Sequence, residues 1–208
     1  MLSLWRSLYN SSEDHARKDI RFVTVLHELC SPDFTEIGGA ISRAKMAFNG
    51  LKRSFPGLRI HGRIELEIID TDKVFSSDMC SRKRRALQDL NDGRSSFASR
   101  DVVVVHSHTL FFLGKNDPEA VRAKLATKYD ASYGVNMKSL YADKNIDGNI
   151  SSLCGYMLKD KWFYSNSMDS QGHKQGVYLR DESLSFIVRS YMNSRIGIDK
   201  SLIWSKDK

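Results

Sequence analysis

His106 and His108 stand two residues apart in the run DVVVVHSHTLFFL, Asp101 to Leu113. Successive side chains on a β-strand alternate between faces, so both imidazoles leave one side and can converge on a single ion. A third donor is then needed. Glu65 and Glu67 alternate with Ile64, Leu66 and Ile68 in the earlier run GLRIHGRIELEIID, and antiparallel pairing of the two runs would stand a carboxylate opposite the histidines. Glu67 is taken as that ligand, with Glu65 as the alternative. Two imidazoles and one carboxylate suit Mn²⁺ or Zn²⁺, and Mg²⁺ less comfortably. Tyr156 and Lys159 lie three apart in ISSLCGYMLKDKWFY, a spacing that puts phenol and ammonium on one face of a helix. A tyrosine attacks phosphorus when adjacent positive charge offsets its ordinary pKa of about 10 and a metal polarises the phosphate. The histidine strand and the Tyr-Lys helix together supply both conditions. The plainer reading leaves His106 and His108 as strand residues without an ion, Tyr156 as a packed ring and Lys159 as a solvated amine.

The elements that must position these groups follow from periodicity. Residues 1–20 form a polar lead-in, helical or loose, with order expected from Asp19. Arg21 to Leu29 is rich in apolar and β-branched residues and stops at the turn Ser31-Pro32-Asp33, as a buried strand does. Phe34 to Phe55 carries apolar residues at helical spacing with Lys and Arg between them, ended by Pro56-Gly57. The Glu65/Glu67 strand comes next, then a polar, basic insertion over residues 70–100. The nearly continuous apolar character of Val102 to Leu113 marks a central strand. Asp117-Pro118-Glu119 opens a helix, Tyr133 to Tyr141 is a fourth strand, and Asp147-Gly148-Asn149 breaks the chain before the Tyr156 helix. The remainder, residues 166–208, is an annex with a loop near Gln171, a short strand at Val177 to Leu179 and a helix from Asp181 to Asn193. The order is an α+β, split βαββαβ of the ferredoxin or RRM-like kind: a four-stranded antiparallel sheet, helices on one face, and the active site on the open one.

The arrangement resembles the HUH endonucleases, in the branch of rolling-circle replication initiators. Phe22-Val23-Thr24-Val25 is similar to their hydrophobic, Thr, hydrophobic strand motif, Phe34 to Phe55 to the basic helix, and Gly62 to Glu67 to the G…E strand. His106-Ser107-His108 stands for the histidine motif and Tyr156-Met157-Leu158-Lys159 for the YxxK helix. The resemblance spans about Arg21 to Asp160, so that residues 21–165 make the nicking domain. Ser107 replaces a usually bulky residue, the insertion between Asp70 and Asp101 is long, and the acidic ligand maps to Glu65 or Glu67. The resemblance implies a metal-dependent enzyme, Mn²⁺ or Mg²⁺ on His106, His108 and Glu67. Tyr156 would nick single-stranded or hairpin origin DNA through a 5′-phosphotyrosyl link, and Lys159 would position the phosphate and favour the phenolate. A relaxase or transposase of the same superfamily shares this chemistry, whereas an RNA-recognition-like module of the same layout would bind without chemistry.

Composition is compatible with these readings. The chain has 208 residues, a formal charge of +7, 41% hydrophobic and 27% charged residues, which suit a packed domain and permit, without requiring, a polyanionic partner. The run Ser81-Arg82-Lys83-Arg84-Arg85 is a candidate phosphate-contacting segment, or a solvated charge run. No apolar stretch reaches the roughly 18 residues of a membrane helix, so an intracellular, cytoplasmic protein is expected. Cys30, Cys80 and Cys154 form no CxxC pair, which points to free thiols. No GxxxxGK[ST] occurs, so a host helicase and polymerase are the expected partners. Phe111 and Phe112 are expected to face opposite sides of the sheet, chiefly as core. His15, His27, His61 and His173 carry no assigned role.

Overall fold

The computed structural model describes residues 1–10, 12–70, 85, 87–90, 101–129, 134–157, 179–193 and 196–205. Strands β1 (Ile20–Cys30), β2 (Arg59–Asp70), β3 (Asp101–Phe112) and β4 (Val135–Ser139) pair antiparallel in the order β4-β1-β3-β2. This is the strand order of a split βαββαβ sheet, and β3, buried over all its length, is central as its apolar run implies. A fifth strand not expected from the sequence, β5 (Leu202–Trp204), extends the sheet beyond β2. Three residues with one buried side chain leave too short a pattern to distinguish from loop.

One face of the sheet carries helix α3 (Phe34–Ser54). Its stripe of Ile37, Ala40, Ile41, Ala44, Phe48 and Leu51 is buried against Val23, Val25, Ile64, Leu66, Val103, Val105 and Phe111. Asp33 caps α3 by accepting hydrogen bonds from the backbone N–H groups of Thr35 and Glu36 at 2.9 and 2.8 Å, satisfying donors the first turn leaves open. Helix α4 (Pro118–Ala126), capped by Asp117, adds Val121 and Leu125 to this core, and α6 (Asp181–Met192) adds Phe186 and Ile187. The short α7 (Ile198–Ser201) leads into β5.

The second face is not open. Helices α1 (Leu2–Tyr9), α2 (Glu13–Asp19) and α5 (Ile146–Met157) bury Trp5, Ala16, Ile146, Ile150, Leu153 and Met157 against Leu110 and Phe112 at one end of β3. At the other end Leu87 packs against Leu29, Ile69, Val102 and Val104. Helices on one face only, and order starting at Asp19, are therefore corrected: Trp5 and Ala16 anchor the lead-in to the sheet. Helix α5 also begins earlier than expected. Asp147, Gly148 and Asn149 form its first turn, where Asn145 Oδ1 accepts from the Gly148 N–H at 2.7 Å. The buried Asn149 amide donates to the carbonyls of Tyr141, Lys144 and Asn145. Polar residues that read as a break thus cap the helix and tie down its loop.

Cys30 and Cys154 are free thiols, and Phe111 and Phe112 enter the cores of opposite faces. Among the described residues no helix is long and apolar enough to cross a membrane. The strand at Val177 to Leu179 falls outside the described residues except for Leu179, as do Gln171, Cys80, His173 and the expected continuation of α5 beyond Met157.

Between Leu26 and Glu28 the β1–β3 register shifts by one residue, and His27 is the extra one. Its ring is buried on the α3 side, edge-on to Phe48, with Nδ1 2.7 Å from the Tyr129 hydroxyl and Nε2 2.9 Å from Ser107 Oγ. Both hydroxyls can donate or accept, so neutral imidazole is satisfied in either tautomer. Burial pushes its pKa down from 6.5 to about 3. Between these values the unfolded chain holds a proton that the folded one refuses, so stability is full above pH 6.5 and declines as pH falls toward 3. Urea melts at neutral pH and at pH 5 are expected to show this loss, and His27→Gln to flatten it; equal slopes for the two proteins would count against the assignment.

Gly62 approaches β3 so closely that an added Cβ would lie 2.6 Å from Thr109 Cα and closer still to the His108 carbonyl oxygen. Gly62→Ala must push two paired backbones apart, at a cost of about 1–3 kcal/mol, readable as a lower urea midpoint.

Candidate metal centre

The β2–β3 register sets Glu65 directly across from His106 and Arg63 across from His108. Directly opposed residues share a face, so Arg63, Glu65, Glu67, His106 and His108 lie together on the second face. All five are buried. They occupy the interval on that face between the apolar cluster of Leu110 and Phe112 and that of Val102 and Val104. The row along β3 reads Val102, Val104, His106, His108, Leu110, Phe112: apolar ends and a polar middle.

The ligand atoms of Glu65, His106 and His108 all lie within 4.8 Å of one another. Glu65 Oε2 is 3.5 Å from His106 Nε2 and 4.0 Å from His108 Nε2. Two donors bound about 2.1 Å from one tetrahedral ion are separated by roughly 3.4 Å, so the spacing fits a shared divalent cation after small adjustments. Two nitrogens and one oxygen form a borderline donor set. These residues can hold a metal ion, and the carboxylate within reach of both imidazoles is Glu65. Glu67, the expected ligand, approaches the other side of His106, with Oε2 3.6 Å from Nδ1. From there it can fix the ring tautomer and leave Nε2 for the ion. Two residues of register decide between these roles, because Glu67 faces Val104 rather than a histidine.

His108 is oriented from β1. Thr24 Oγ1 lies 3.0 Å from His108 Nδ1, so Nε2 is the nitrogen turned toward Glu65. Thr24 sits in the strand motif noted above, yet its partner became visible only once β1 paired with β3 in the register Thr24↔His108. Ser107, between the ligands, points the opposite way and meets His27. A polar residue is tolerated there because His27 supplies a hydrogen-bond partner inside the apolar layer.

Tyr156 lies in the last described turn of α5, beside the buried Leu153 and Met157 that seat the helix on the sheet. It is 47% exposed, and its ring centroid is 4.8 Å from that of His108 at a steep angle. Phe22 stacks on His108 at 5.6 Å and meets Tyr156 edge-on at 6.2 Å. The fold therefore brings together His106, His108 and Tyr156, with Glu65 and Glu67 on either side of His106. Lys159, Arg82, Lys83 and Arg84 lie outside the described residues, and Arg85 is exposed. Sequence reasoning passed over Phe22 as a site residue, and also Arg63, whose guanidinium sits 5.1 Å above the Tyr191 ring. Its alternation with Glu65 and Glu67 was the available signal.

Calorimetric titration with Mn²⁺ or Zn²⁺ is expected to give one site. Glu65→Gln should remove most of the affinity, and Glu67→Gln should weaken it by roughly 10- to 100-fold, as loss of an orienting carboxylate does. The reverse ranking would make Glu67 the ligand.

No protein-family model, curated protein or solved structure matches the chain.

Proposed function

We propose that the chain is a metal-dependent DNA nicking and joining endonuclease that starts rolling-circle replication at single-stranded or hairpin origin DNA. The observation that carries this reading is the contact of an exposed tyrosine ring with one histidine of a buried Glu65–His106–His108 cluster. A solvated tyrosine beside a potential divalent-ion site is an arrangement suited to phosphoryl transfer.

When bound by Glu65, His106 and His108, a divalent ion such as Mn²⁺ or Mg²⁺ supplies Lewis-acid polarisation of the scissile phosphate. Glu67 and Thr24 hold the two imidazoles from behind. The Tyr156 oxygen attacks phosphorus, loses its proton and forms the phosphotyrosyl bond as the bond from phosphorus to the 3′ oxygen breaks. That oxygen takes up a proton and leaves as a 3′-hydroxyl, which a host polymerase can extend. Because the ester is conserved on Tyr156, a later 3′-hydroxyl can reverse the step and join the strand. Lys159, three residues beyond Tyr156, is assigned to stabilising the phenolate and positioning the phosphate. Arg82, Lys83, Arg84 and Arg85 are assigned to backbone phosphates, and unwinding to a host helicase. A relaxase or transposase would use the same groups on a different DNA substrate.

The test is to incubate the protein with end-labelled single-stranded oligonucleotides and Mn²⁺, then separate the products under denaturing conditions. A covalent protein–DNA adduct is expected, absent with EDTA and absent in Tyr156→Phe. Retarded mobility in native gels without any adduct would replace the enzyme with a binding module.

A further inference from the structure

The edge strand β5 carries a feature outside the metal centre. It pairs with β2 in the register His61↔Trp204, Gly62↔Ile203 and Arg63↔Leu202. Opposed residues share a face, so Trp204 and Leu202 stand on the face that holds Glu65, His106 and His108. Ile203 points the other way into the main core and holds the strand down. Trp204 is nonetheless 58% exposed and Leu202 44% exposed, so β5 presents aromatic and apolar surface at the sheet edge. The indole is braced rather than loose: the buried His61 ring meets it edge-on at 4.3 Å and rests in turn against Phe112 at 5.7 Å. On the same face of β2, the half-buried Arg59 stands two residues from His61, while Arg63, on its other side, is buried with its guanidinium over the Tyr191 ring. Two strand spacings and one two-residue step separate the Trp204 and His108 backbones by roughly 12 Å.

We infer that Trp204 is a base-stacking platform for single-stranded DNA entering the metal centre. The choice of ligand rests on the nicking reading, and the local chemistry agrees with it. A rigid, exposed aromatic ring beside the half-buried Arg59 matches a polyanion whose bases offer free π-faces. Duplex DNA keeps its bases stacked internally and cannot use the platform. One base resting on Trp204 fixes the strand at the β5 edge of the face that holds Glu65, His106 and His108, and so sets its approach to the exposed Tyr156 at the margin of that cluster. Trp204 is thus a positioning residue for the substrate and takes no part in bond making.

The experiment measures binding of a labelled single-stranded oligothymidylate and of a duplex by fluorescence polarisation in EDTA, so that no chemistry intervenes. Trp204→Ala is expected to weaken single-strand binding about 5- to 150-fold, Trp204→Phe to restore most of it, and neither to change duplex binding. Trp204→Phe also covers the case of a poorly folded alanine variant: oligothymidylate should quench tryptophan emission more strongly in the native chain than in Trp204→Phe, which keeps only Trp5 and Trp162. Unchanged single-strand affinity in Trp204→Ala, an equal loss for duplex, or a quench of undiminished size in Trp204→Phe each overturns the platform. The adduct assay reports separately on the nicking reading: a Trp204-dependent affinity without a Tyr156 adduct keeps the platform and removes the nuclease.

Discussion

The pairing register of β2 against β3 is the constraint on which the rest of the site depends. It sets Glu65 opposite His106 and Arg63 opposite His108. A slip of one residue would turn the carboxylates into the α3 core, and a slip of two would bring Arg63 or Glu67 to face His106. Several features oppose such slips. Gly62 passes against the β3 backbone where a larger residue would collide. At one end of the sheet Ile69 and Val102 must meet Leu87, and at the other Leu110 and Phe112 must meet α5. Apolar packing at both ends holds a polar middle in place.

That middle would be costly in isolation. Carboxylates and imidazoles buried between two apolar clusters lose hydration, and they are tolerated when charge and hydrogen bonding are balanced nearby. Glu65 and Glu67 lie on opposite sides of the His106 ring, and Thr24 holds His108. The same environment strengthens electrostatic interactions with a bound cation, because low polarity around a site reduces screening. Burial of the ligands and exposure of Tyr156 therefore belong to one design: a shielded centre with a solvent-facing ring at its margin.

The two faces are coupled through β1 and β3. His27 bulges toward α3 and binds Ser107, while the neighbouring His106 and His108 turn to the other side. The bulge changes the alternation of β1, so that Thr24 and Leu26 remain on the face of His106 and His108 and Glu28 turns to the α3 face, where Arg43 holds it in a bidentate ion pair. A single extra residue thus lets one strand serve the core, the candidate metal centre and a helix contact in succession.

Short-range patterns determined much of this protein by themselves. Alternation placed His106 and His108 on one face of a central strand and limited the acidic partner to Glu65 or Glu67. Helical spacing found α3, α4 and α6, and the element order implied the β4-β1-β3-β2 sheet. These are properties of residues close in sequence, and periods of two and 3.6 residues express them directly. Tertiary structure decided the rest. Only the pairing of β2 with β3 could separate Glu65 from Glu67, since both have the same alternation. Only the docking of α5 through Leu153 and Met157 could set Tyr156 beside His108. The lead-in helices, the segment around Leu87 and β5 were poorly legible because each buries too few residues to impose a period. Their positions come from apolar surfaces that distant parts of the chain supply, and local sequence carries no record of those distances.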